Sequence, residues 1–267
     1  MEPGKLIGKG MTSEVFEWGD NRVLKLFFKR FGYKRVEYEA DIGYAVHEAG
    51  VISPAVCGIE EVNDCKGIVF ERIFGKTILN QIRYQPWLIS YYAKQMAELH
   101  FKMHNCHTER LPSQINLLYD AIEETDEIDI SKKNRILSYL ESLPRGNSVC
   151  HGDLHFENII VSEEGLIPID WAKAYKGNPM GDVARTCMTI RSPTMPFGTS
   201  NLLMMSYLYG KLYTYREYLN EYMRIANVTF EDIDAWTLPV AAARLKEKIP
   251  GEREWIIGII EDYLERI

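Results

Sequence analysis

The segment that most constrains this chain is residues 151–158, which read H-G-D-L-H-F-E-N and are followed shortly by I-D-W at residues 169–171. An apolar run follows Asn158, a Glu-Glu-Gly turn comes next, and a second apolar run leads to Asp170. Two short apolar runs separated by turn residues predict a β-hairpin. The hairpin would bring Asp170 back beside Asn158, close to Asp153.

These three side chains have the composition of a magnesium-dependent site. Asn158 and Asp170 offer oxygen ligands, which suit Mg²⁺ because substrate phosphates and water complete its octahedron. Asp153 is then free to accept a proton from an attacking hydroxyl. The simpler alternative is that both aspartates only cap turns. We favour the magnesium site because the upstream sequence carries matching signals.

The first of these signals is a small-residue loop, G-K-G-M-T-S-E-V at residues 8–15, between two predicted short strands. Gly8 and Gly10 lack side chains, so backbone N–H groups can approach a phosphate closely. A single G-x-G is weak evidence by itself and is equally typical of an ordinary hairpin. The interpretation of this loop as a phosphate site is strengthened by a residue of a strand that follows it.

The second signal is Lys25, a lone cation in the apolar run V-L-K-L-F. Alternation along a strand places it on the same face as Val23 and Phe27, which predicts partial burial. A buried ammonium needs a partner. Glu37 and Glu39, on the next predicted helix, are the two candidates. The alternative is an edge-strand lysine that only prevents aggregation.

The order of predicted elements divides the chain at Gly75. Residues 1–75 read as short strands with one helix, and helical patterns dominate residues 76–267. The predicted helices of the second part cover residues 86–104, 116–128, 131–143, 201–225, 229–248 and 251–266. We therefore predict an α+β fold with a strand-rich N-terminal part at 1–75 and a helical C-terminal part at 76–267.

Charge and composition exclude several classes of protein. The net charge of −7 at pH 7 argues against nucleic-acid binding, which relies on basic patches, and is compatible with a cationic small-molecule substrate. The sequence has no apolar run long enough to span a membrane, and its first residues lack the apolar core of a signal peptide. Five scattered cysteines are typical of free thiols in a reducing compartment. We expect a cytoplasmic protein without membrane or nucleic-acid partners; its oligomeric state is left open.

In order along the chain, these motifs resemble the aminoglycoside phosphotransferase and choline kinase family of the protein-kinase-like fold. The set is G-x-G-x-x-S-x-V, V-L-K-L, an acid on the following helix, a strand ending in E-R-I-F-G, H-G-D-x-x-x-x-N and I-D-W, and it spans residues 8–184. The last two motifs are the most specific. The resemblance implies a bilobal α+β fold, with a small antiparallel β-sheet and one helix in an N-terminal nucleotide-binding lobe at 1–75 and a mostly α-helical C-terminal lobe at 76–267. The C-terminal lobe would carry the catalytic loop and the acceptor site, and ATP with Mg²⁺ would lie in the cleft between the lobes.

The resemblance also implies a role for each matching residue. Asp153 would be the catalytic base, and Asn158 and Asp170 would hold magnesium. Lys25 would contact the α- and β-phosphates and would be held by Glu39 in preference to Glu37. The other implied nucleotide contacts, running from the phosphate-covering loop through the adenine pocket to the linker, are Gly8, Gly10, Ser13, Val15, Phe70, Glu71 and Ile73. The linker contacts would be the Glu71 carbonyl and the Ile73 amide.

The chain departs from related patterns at several positions. Ser13 stands where protein kinases have a third glycine, and Ala172 stands where relatives often have an acid. H-G-D replaces the H-R-D of protein kinases and no A-P-E segment follows, so a dedicated protein kinase is disfavoured. Asp182 matches a family carboxylate that braces the catalytic loop, and we expect it to be structural.

We therefore expect an ATP- and Mg²⁺-dependent phosphotransferase that moves the γ-phosphoryl group to a hydroxyl of a small molecule such as an aminoglycoside, choline or a sugar. The alternative is a catalytically silent nucleotide-binding regulatory protein. The sequence leaves the acceptor open.

Three further patterns have two interpretations each. His100, His104 and His107 lie on one helical face and match a zinc site, but the absence of an evident fourth ligand favours packing in the core. The acidic run at residues 120–129 is typical of a solvated helix end, with attraction of a polycationic substrate as the alternative. Trp171 is the aromatic best placed for a quaternary-ammonium cage, with ordinary packing as the alternative.

Overall fold

A five-stranded antiparallel sheet forms the first part of the chain. The computed structural model describes residues 2–194 and 201–267. The sheet contains β1 (Leu6–Lys9), β2 (Ser13–Glu17), β3 (Arg22–Phe27), β4 (Val56–Val62) and β5 (Cys65–Glu71) in the order β1-β2-β3-β5-β4. One helix, α1 (Tyr33–Glu48), connects β3 to β4. The neighbouring strands are antiparallel throughout this sheet.

The helix α1 packs against the sheet and also against the helical part of the chain. Val36 and Ala40, one helical turn apart, are buried against Phe27 and Ile68 of the sheet. Val46, further along α1, belongs to the large core formed with the later helices. Because one rigid helix contributes to both cores, α1 holds the sheet in a defined place relative to the helices.

The rest of the chain is mostly helical. Its helices are α2 (Ile78–Tyr84), α3 (Ile89–His104), α4 (Gln114–Glu124), α5 (Ile130–Ser142), α6 (Pro179–Arg191), α7 (Asn201–Ala226), α8 (Phe230–Asp234), α9 (Thr237–Arg244) and α10 (Arg253–Leu264). Met96, Tyr218 and Trp236 are among the largest buried side chains of their common core. In the part of the chain that the structure describes, no helix combines the length and the apolar character needed to cross a membrane.

Short strands lie between the sheet and the helices. β6 (Lys76–Thr77), β8 (Ile159–Ser162) and β9 (Gly165–Pro168) form one small sheet, and β7 (Ser148–Cys150) pairs with β10 (Tyr175–Gly177). The predicted hairpin is confirmed, because β8 and β9 pair in antiparallel register from Ile159 opposite Pro168 to Ser162 opposite Gly165. The segment H-G-D-L-H-F-E-N fills the connection between β7 and β8.

The fold class expected from the sequence is confirmed: a small antiparallel sheet with one helix, followed by a mostly helical part. The lobe boundary at Gly75 stays a prediction. Backbone geometry explains why glycine stands there, since its φ is 156° and an added Cβ would lie 2.2 Å from the Val161 carbonyl oxygen.

The single helix predicted over 229–248 is wrong. Two helices, α8 and α9, replace it and are followed by a 3-10 turn at Leu245–Glu247. Pro239 lies in the first turn of α9, where the missing backbone N–H needs no partner, so a new helix starts at this point. The break places Glu247 in a tight turn near the loop at residues 151–158 instead of on a continuous helix.

Candidate active site

Lys25 on β3 connects the sheet to α1 and to the segment that follows β9. Its Nζ donates to Glu39 Oε1 at 2.5 Å and to Asp170 Oδ1 at 2.8 Å. The lysine side chain is 14% exposed and Glu39 is 4% exposed, so the predicted burial is confirmed. Of the two helix acids, Glu39 is the partner of Lys25. Burial lowers the pKa of Lys25, but the two carboxylates outweigh it and the pKa is raised.

Asp170 stands in a backbone conformation that few residues adopt. Its φ is 62°, in the left-handed region that Asp and Asn tolerate better than most side chains. This bend follows β9 and turns the carboxylate towards Lys25. Burial raises the pKa of Asp170, but the nearby Lys25 ammonium outweighs burial and the pKa is lowered. The carboxylate is half exposed and ionised at neutral pH.

Asp153 lies in the loop between β7 and the 3-10 turn Phe156–Asn158. Its Oδ2 lies 3.1 Å from Lys173 Nζ, and its side chain is 24% exposed. Burial raises its pKa, but Lys173 and Arg185 outweigh burial and the pKa is lowered. Asn158 Nδ2 donates to the Asp153 carbonyl oxygen at 2.9 Å. Since that bond uses the amide nitrogen, the amide oxygen of Asn158 is the atom available to a cation.

Asp182 braces the main chain just before Asp153. It is fully buried, and its carboxylate accepts from His151 N at 2.6 Å and from Gly152 N at 2.9 Å. His100 Nε2 lies 2.9 Å from the same carboxylate. Burial raises the pKa of Asp182, but His100 and His104 outweigh it and hold the pKa well below its usual range. The expected structural role of Asp182, support of the loop at residues 151–158, fits these contacts.

The helix histidines belong to this buried network. His100 and His104 place their Nε2 atoms near Asp182, and their Nδ1 atoms each lie 2.7 Å from a tyrosine hydroxyl, that of Tyr218 and Tyr222 respectively. Although these three ligand groups are close enough to hold a metal ion, each already has protein partners. His107 is exposed and lies outside the cluster. The packing interpretation of the histidines therefore fits the geometry.

The sheet brings the predicted loop residues next to Lys25. Val15 on β2 is opposite Lys25 on β3 and also opposite Gly8 on β1. Gly10 closes a tight turn through its N–H, which donates to the Ser13 carbonyl oxygen at 2.9 Å, and Ser13 is buried at the start of β2. Gly8, Val15 and Lys25 therefore form adjacent positions on one face of the sheet.

The remaining predicted nucleotide contacts lie where β5 leaves the sheet. Phe70 is opposite Val23 on β3, which puts it on the face that carries Lys25. Glu71 ends β5, and its Oε2 accepts from Ala55 N at 3.3 Å. Ile73 follows in the extended connection to β6 and is partly buried.

Three charged residues near Asp153 were missed from the sequence. Lys173 Nζ contacts Glu247 Oε2 at 3.0 Å in addition to Asp153, and Arg185 Nη2 lies 2.5 Å from Glu247 Oε1. Arg185 Nε also donates to the Gly152 carbonyl oxygen. The sequence weakly indicates that Lys173 and Arg185 lie near the site, because they follow Asp170 and Asp182 by three residues. Glu247 carries no comparable local signal.

The other two patterns have ordinary structural roles. Glu124 and Glu127 of the acidic run pair with Lys246 and Arg253 at 2.6 and 2.7 Å, which fits the solvated-surface interpretation. Trp171 is 7% exposed, and its ring packs on His151 with centroids 4.5 Å apart. That burial fits packing and leaves no open aromatic face for a quaternary ammonium.

One comparison with known proteins identifies a family, and another identifies structures of similar fold. Residues 4–199 match the family model described as the phosphotransferase enzyme family. A comparison with curated proteins found no significant match. Many solved structures are similar. One is a thermostable mutant of aminoglycoside phosphotransferase APH(4)-Ia in its apo form, with 14% identity, 98% of this chain and 94% of that chain covered, and a TM-score of 0.65.

Two further structures have the same fold. An aminoglycoside-3'-phosphotransferase of type VIII has 18% identity, covers 90% of this chain and 91% of its own, and gives a TM-score of 0.56. APH(3'')-Id from Streptomyces rimosus, solved with ADP and streptomycin, has 16% identity, 86% and 90% coverage, and a TM-score of 0.51. At these identities, the likeness to solved structures concerns the fold.

Proposed function

Because this chain belongs to the phosphotransferase enzyme family, we propose that it transfers the γ-phosphoryl group of Mg·ATP to a hydroxyl of a small molecule. The observation that carries this proposal is the contact of Lys25 with both Glu39 and Asp170, beside the Asp153 loop. An ammonium held by a helix acid and a loop carboxylate, next to a third carboxylate, supplies the charges that phosphoryl transfer requires.

Lys25 and the loop at residues 8–15 would bind the donor. The ammonium is fixed by Glu39, so it needs little reorganisation to contact the α- and β-phosphates. Gly8, Gly10 and Ser13 would cover the phosphates with backbone N–H groups. Adenine would lie against Val15, in front of Phe70, with its edge at the Glu71 carbonyl and the Ile73 amide. Structures of the same fold solved with ADP or AMP-PNP support a nucleotide as donor.

The donor atoms of Asn158 and Asp170 fit magnesium. They are one amide oxygen and one half-exposed, ionised carboxylate, and few protein ligands are needed when phosphates and water supply the rest. When bound, Mg²⁺ neutralises the charge of the phosphates and keeps the γ-phosphoryl group in line for transfer. Lys25 now donates to Asp170 and would exchange this contact for phosphate oxygens.

Asp153 would orient the acceptor hydroxyl and receive its proton. Its pKa is lowered, so the carboxylate is ionised at neutral pH and can accept a hydrogen bond from a hydroxyl. The Asp182 carboxylate accepts hydrogen bonds from the peptide N–H groups of His151 and Gly152, just before Asp153, and these bonds fix the loop. The acceptor would enter from the side of the helical lobe, at 76–267, while the lobe at 1–75 covers the nucleotide.

The test is ADP release from Mg·ATP across a panel of aminoglycosides, choline, ethanolamine, sugars and nucleosides. Stimulation by one class would identify the acceptor, and we expect it to disappear in Asp153→Ala. An exposed aspartate on α4 provides the control, Asp120→Ala, which should retain the stimulated rate. Normal turnover in Asp153→Ala would refute the assignment. Binding of Mg·ATP without any turnover would favour a silent nucleotide-binding regulator.

A further inference from the structure

Glu247 holds two cations against the catalytic loop. It lies in the 3-10 turn Leu245–Glu247 after α9, and its side chain is 25% exposed. Oε2 contacts Lys173 Nζ at 3.0 Å, and Oε1 contacts Arg185 Nη2 at 2.5 Å. Each carboxylate oxygen therefore has its own cation.

Each of these cations touches a different part of the loop. Lys173 Nζ lies 3.1 Å from Asp153 Oδ2, so it contacts the side chain proposed as the base. Arg185 Nε donates to the carbonyl oxygen of Gly152, the residue just before Asp153. One carboxylate thus fixes both a side-chain contact and a main-chain contact of the same loop.

The ionised carboxylate of Glu247 balances the positive charges of Arg185 and Lys173. Arg185 has a side chain only 12% exposed, and Glu247 is the carboxylate it pairs with directly. Burial raises the pKa of Glu247, but Arg185 and Lys173 outweigh burial and lower the pKa to about 2. Glu247 therefore stays ionised across the physiological range, and neutralising it would leave two cations competing for contacts around Asp153.

Glu247 lies in the C-terminal helical region, outside the residues that match the family model. The family match ends at residue 199, and Glu247 comes from a turn beyond it. Its contacts with Lys173 and Arg185 link that turn to the loop that carries Asp153. No other described carboxylate forms an ion pair with either cation except Asp153 itself.

We propose that Glu247 is a positioning residue for phosphoryl transfer, acting on Asp153 through Lys173 and on the Gly152 main chain through Arg185. This inference rests on the proposed function, since it assigns Glu247 a part in that reaction. A base must be held in the correct place relative to the hydroxyl, and a displacement of about 1 Å can lower a rate by about 100-fold. Glu247 supplies that restraint without touching the reacting atoms.

The test is Glu247→Gln, which keeps the shape of the side chain and removes its charge. The measurement is steady-state ADP release from Mg·ATP with water as acceptor, so no acceptor needs to be known. We expect kcat to fall about 10- to 100-fold. We expect KM for ATP to change less than about threefold, because Lys25 and Asp170 are untouched.

Glu124→Gln is the matched control. It removes the pair with Lys246, the neighbour of Glu247 in the same turn, at a surface position away from Asp153. A role limited to anchoring the turn would make the two variants equally slow. The proposal expects kcat of Glu124→Gln to stay within about twofold of the unsubstituted chain.

A double-mutant cycle separates positioning from stability. Lys173→Met keeps the Glu247 contact with Arg185, so it tests the same link if Glu247→Gln folds poorly. The effects of Lys173→Met and Glu247→Gln on kcat should be less than additive, because both break one chain of contacts. Additive effects, or an unchanged kcat in Glu247→Gln, would overturn the inference. Absence of ADP release from the unsubstituted chain, with every acceptor of the panel as well as with water, would instead refute the proposed function.

Discussion

Lys25 Nζ lies 2.8 Å from Asp170 Oδ1, so one ammonium on β3 connects the sheet to the segment that follows the β8–β9 hairpin. The same nitrogen donates to Glu39 on α1 at 2.5 Å. Because α1 also packs into the large helical core, the lysine, the helix and the hairpin are held together before any nucleotide binds. The groups proposed to bind phosphate and magnesium are therefore already assembled in the free chain.

Replacing Lys25 should destabilise the fold as well as weaken nucleotide binding. Lys25→Met leaves Glu39, 4% exposed, without its cation, and breaking a buried pair costs about 3 kcal/mol. Urea unfolding measures this loss. Lys29→Met is the control, because its pair with Asp64 is exposed on both sides and should contribute less than about 0.5 kcal/mol. Equal losses in the two variants would contradict the buried-pair argument.

Replacing the carboxylate of Asp170 should weaken Mg·ATP binding without disturbing the backbone. Asp170→Asn is the right change, because asparagine tolerates the φ of 62° at this position. We expect the dissociation constant of Mg·ATP, measured by calorimetry, to rise about tenfold or more. Asp64→Asn is closely matched, since Asp64 also has a positive φ of 61° and pairs with a lysine. Comparable affinities for the two variants would exclude Asp170 from the metal site.

Two glycines with positive φ should respond differently to alanine. Gly152 has a φ of 76°, and an added Cβ would lie 2.2 Å from the Lys173 carbonyl oxygen. Gly165 has a φ of 115°, with no atom within 4 Å of an added Cβ. Gly165→Ala should therefore cost only backbone strain, about 1–3 kcal/mol. Gly152→Ala should cost more and abolish ADP release, because the loop before Asp153 must move. Thermal unfolding of both variants compares the two costs.

Local patterns in the sequence were sufficient to predict part of the candidate site. The alternation around Lys25 predicted its burial, and the two apolar runs predicted the hairpin that positions Asp170. These features depend on residues that are close in sequence or on a single motif. Sequence alone did not decide between Glu37 and Glu39 as the partner, because both lie on the same predicted helix; only the family resemblance favoured Glu39.

Contacts between distant elements were not predictable in this way. Arg185 and Glu247 are 62 residues apart, and their contact depends on how α6 packs near the turn after α9. The sequence predicted one helix through this region, so the turn itself was missed. Pro239 gave a weak signal for the break, but a proline in a first helical turn and a proline that ends a helix look alike in sequence.

Acidification should destabilise the chain through the buried side chain of His100. Burial lowers the pKa of His100 from 6.5 to about 4. Between these values the unfolded chain binds a proton that the folded chain does not, so the free energy of unfolding falls as pH decreases, by about 3 kcal/mol for this group. NMR titration should show His100 neutral down to about pH 4, while exposed His47 serves as the internal comparison. Protonation of His100 near pH 6.5 in the folded chain would contradict the buried network.

Lys173 should determine the acid limb of the pH–rate profile, which is the pH range in which kcat falls on acidification. Burial raises the pKa of Asp153, and the Lys173 ammonium is the largest of the influences that lower it. In Lys173→Met the pKa of Asp153 should rise, so kcat for ADP release, with water as acceptor, should begin to fall at a higher pH than in the unsubstituted chain. The alkaline side of the profile should be affected less, because Asp153 is ionised there in both proteins.

Lys176→Met is the control for this pH profile. Lys176 lies on the neighbouring strand β10 and pairs with Glu109, so removing its charge tests a nearby surface cation that does not contact Asp153. Its acid limb should coincide with that of the unsubstituted chain. If the acid limb of Lys173→Met also coincides while the variant remains folded, Asp153 is not the group whose ionisation limits the rate. A shift confined to Lys173→Met would connect the ion pair at 3.1 Å directly to proton transfer.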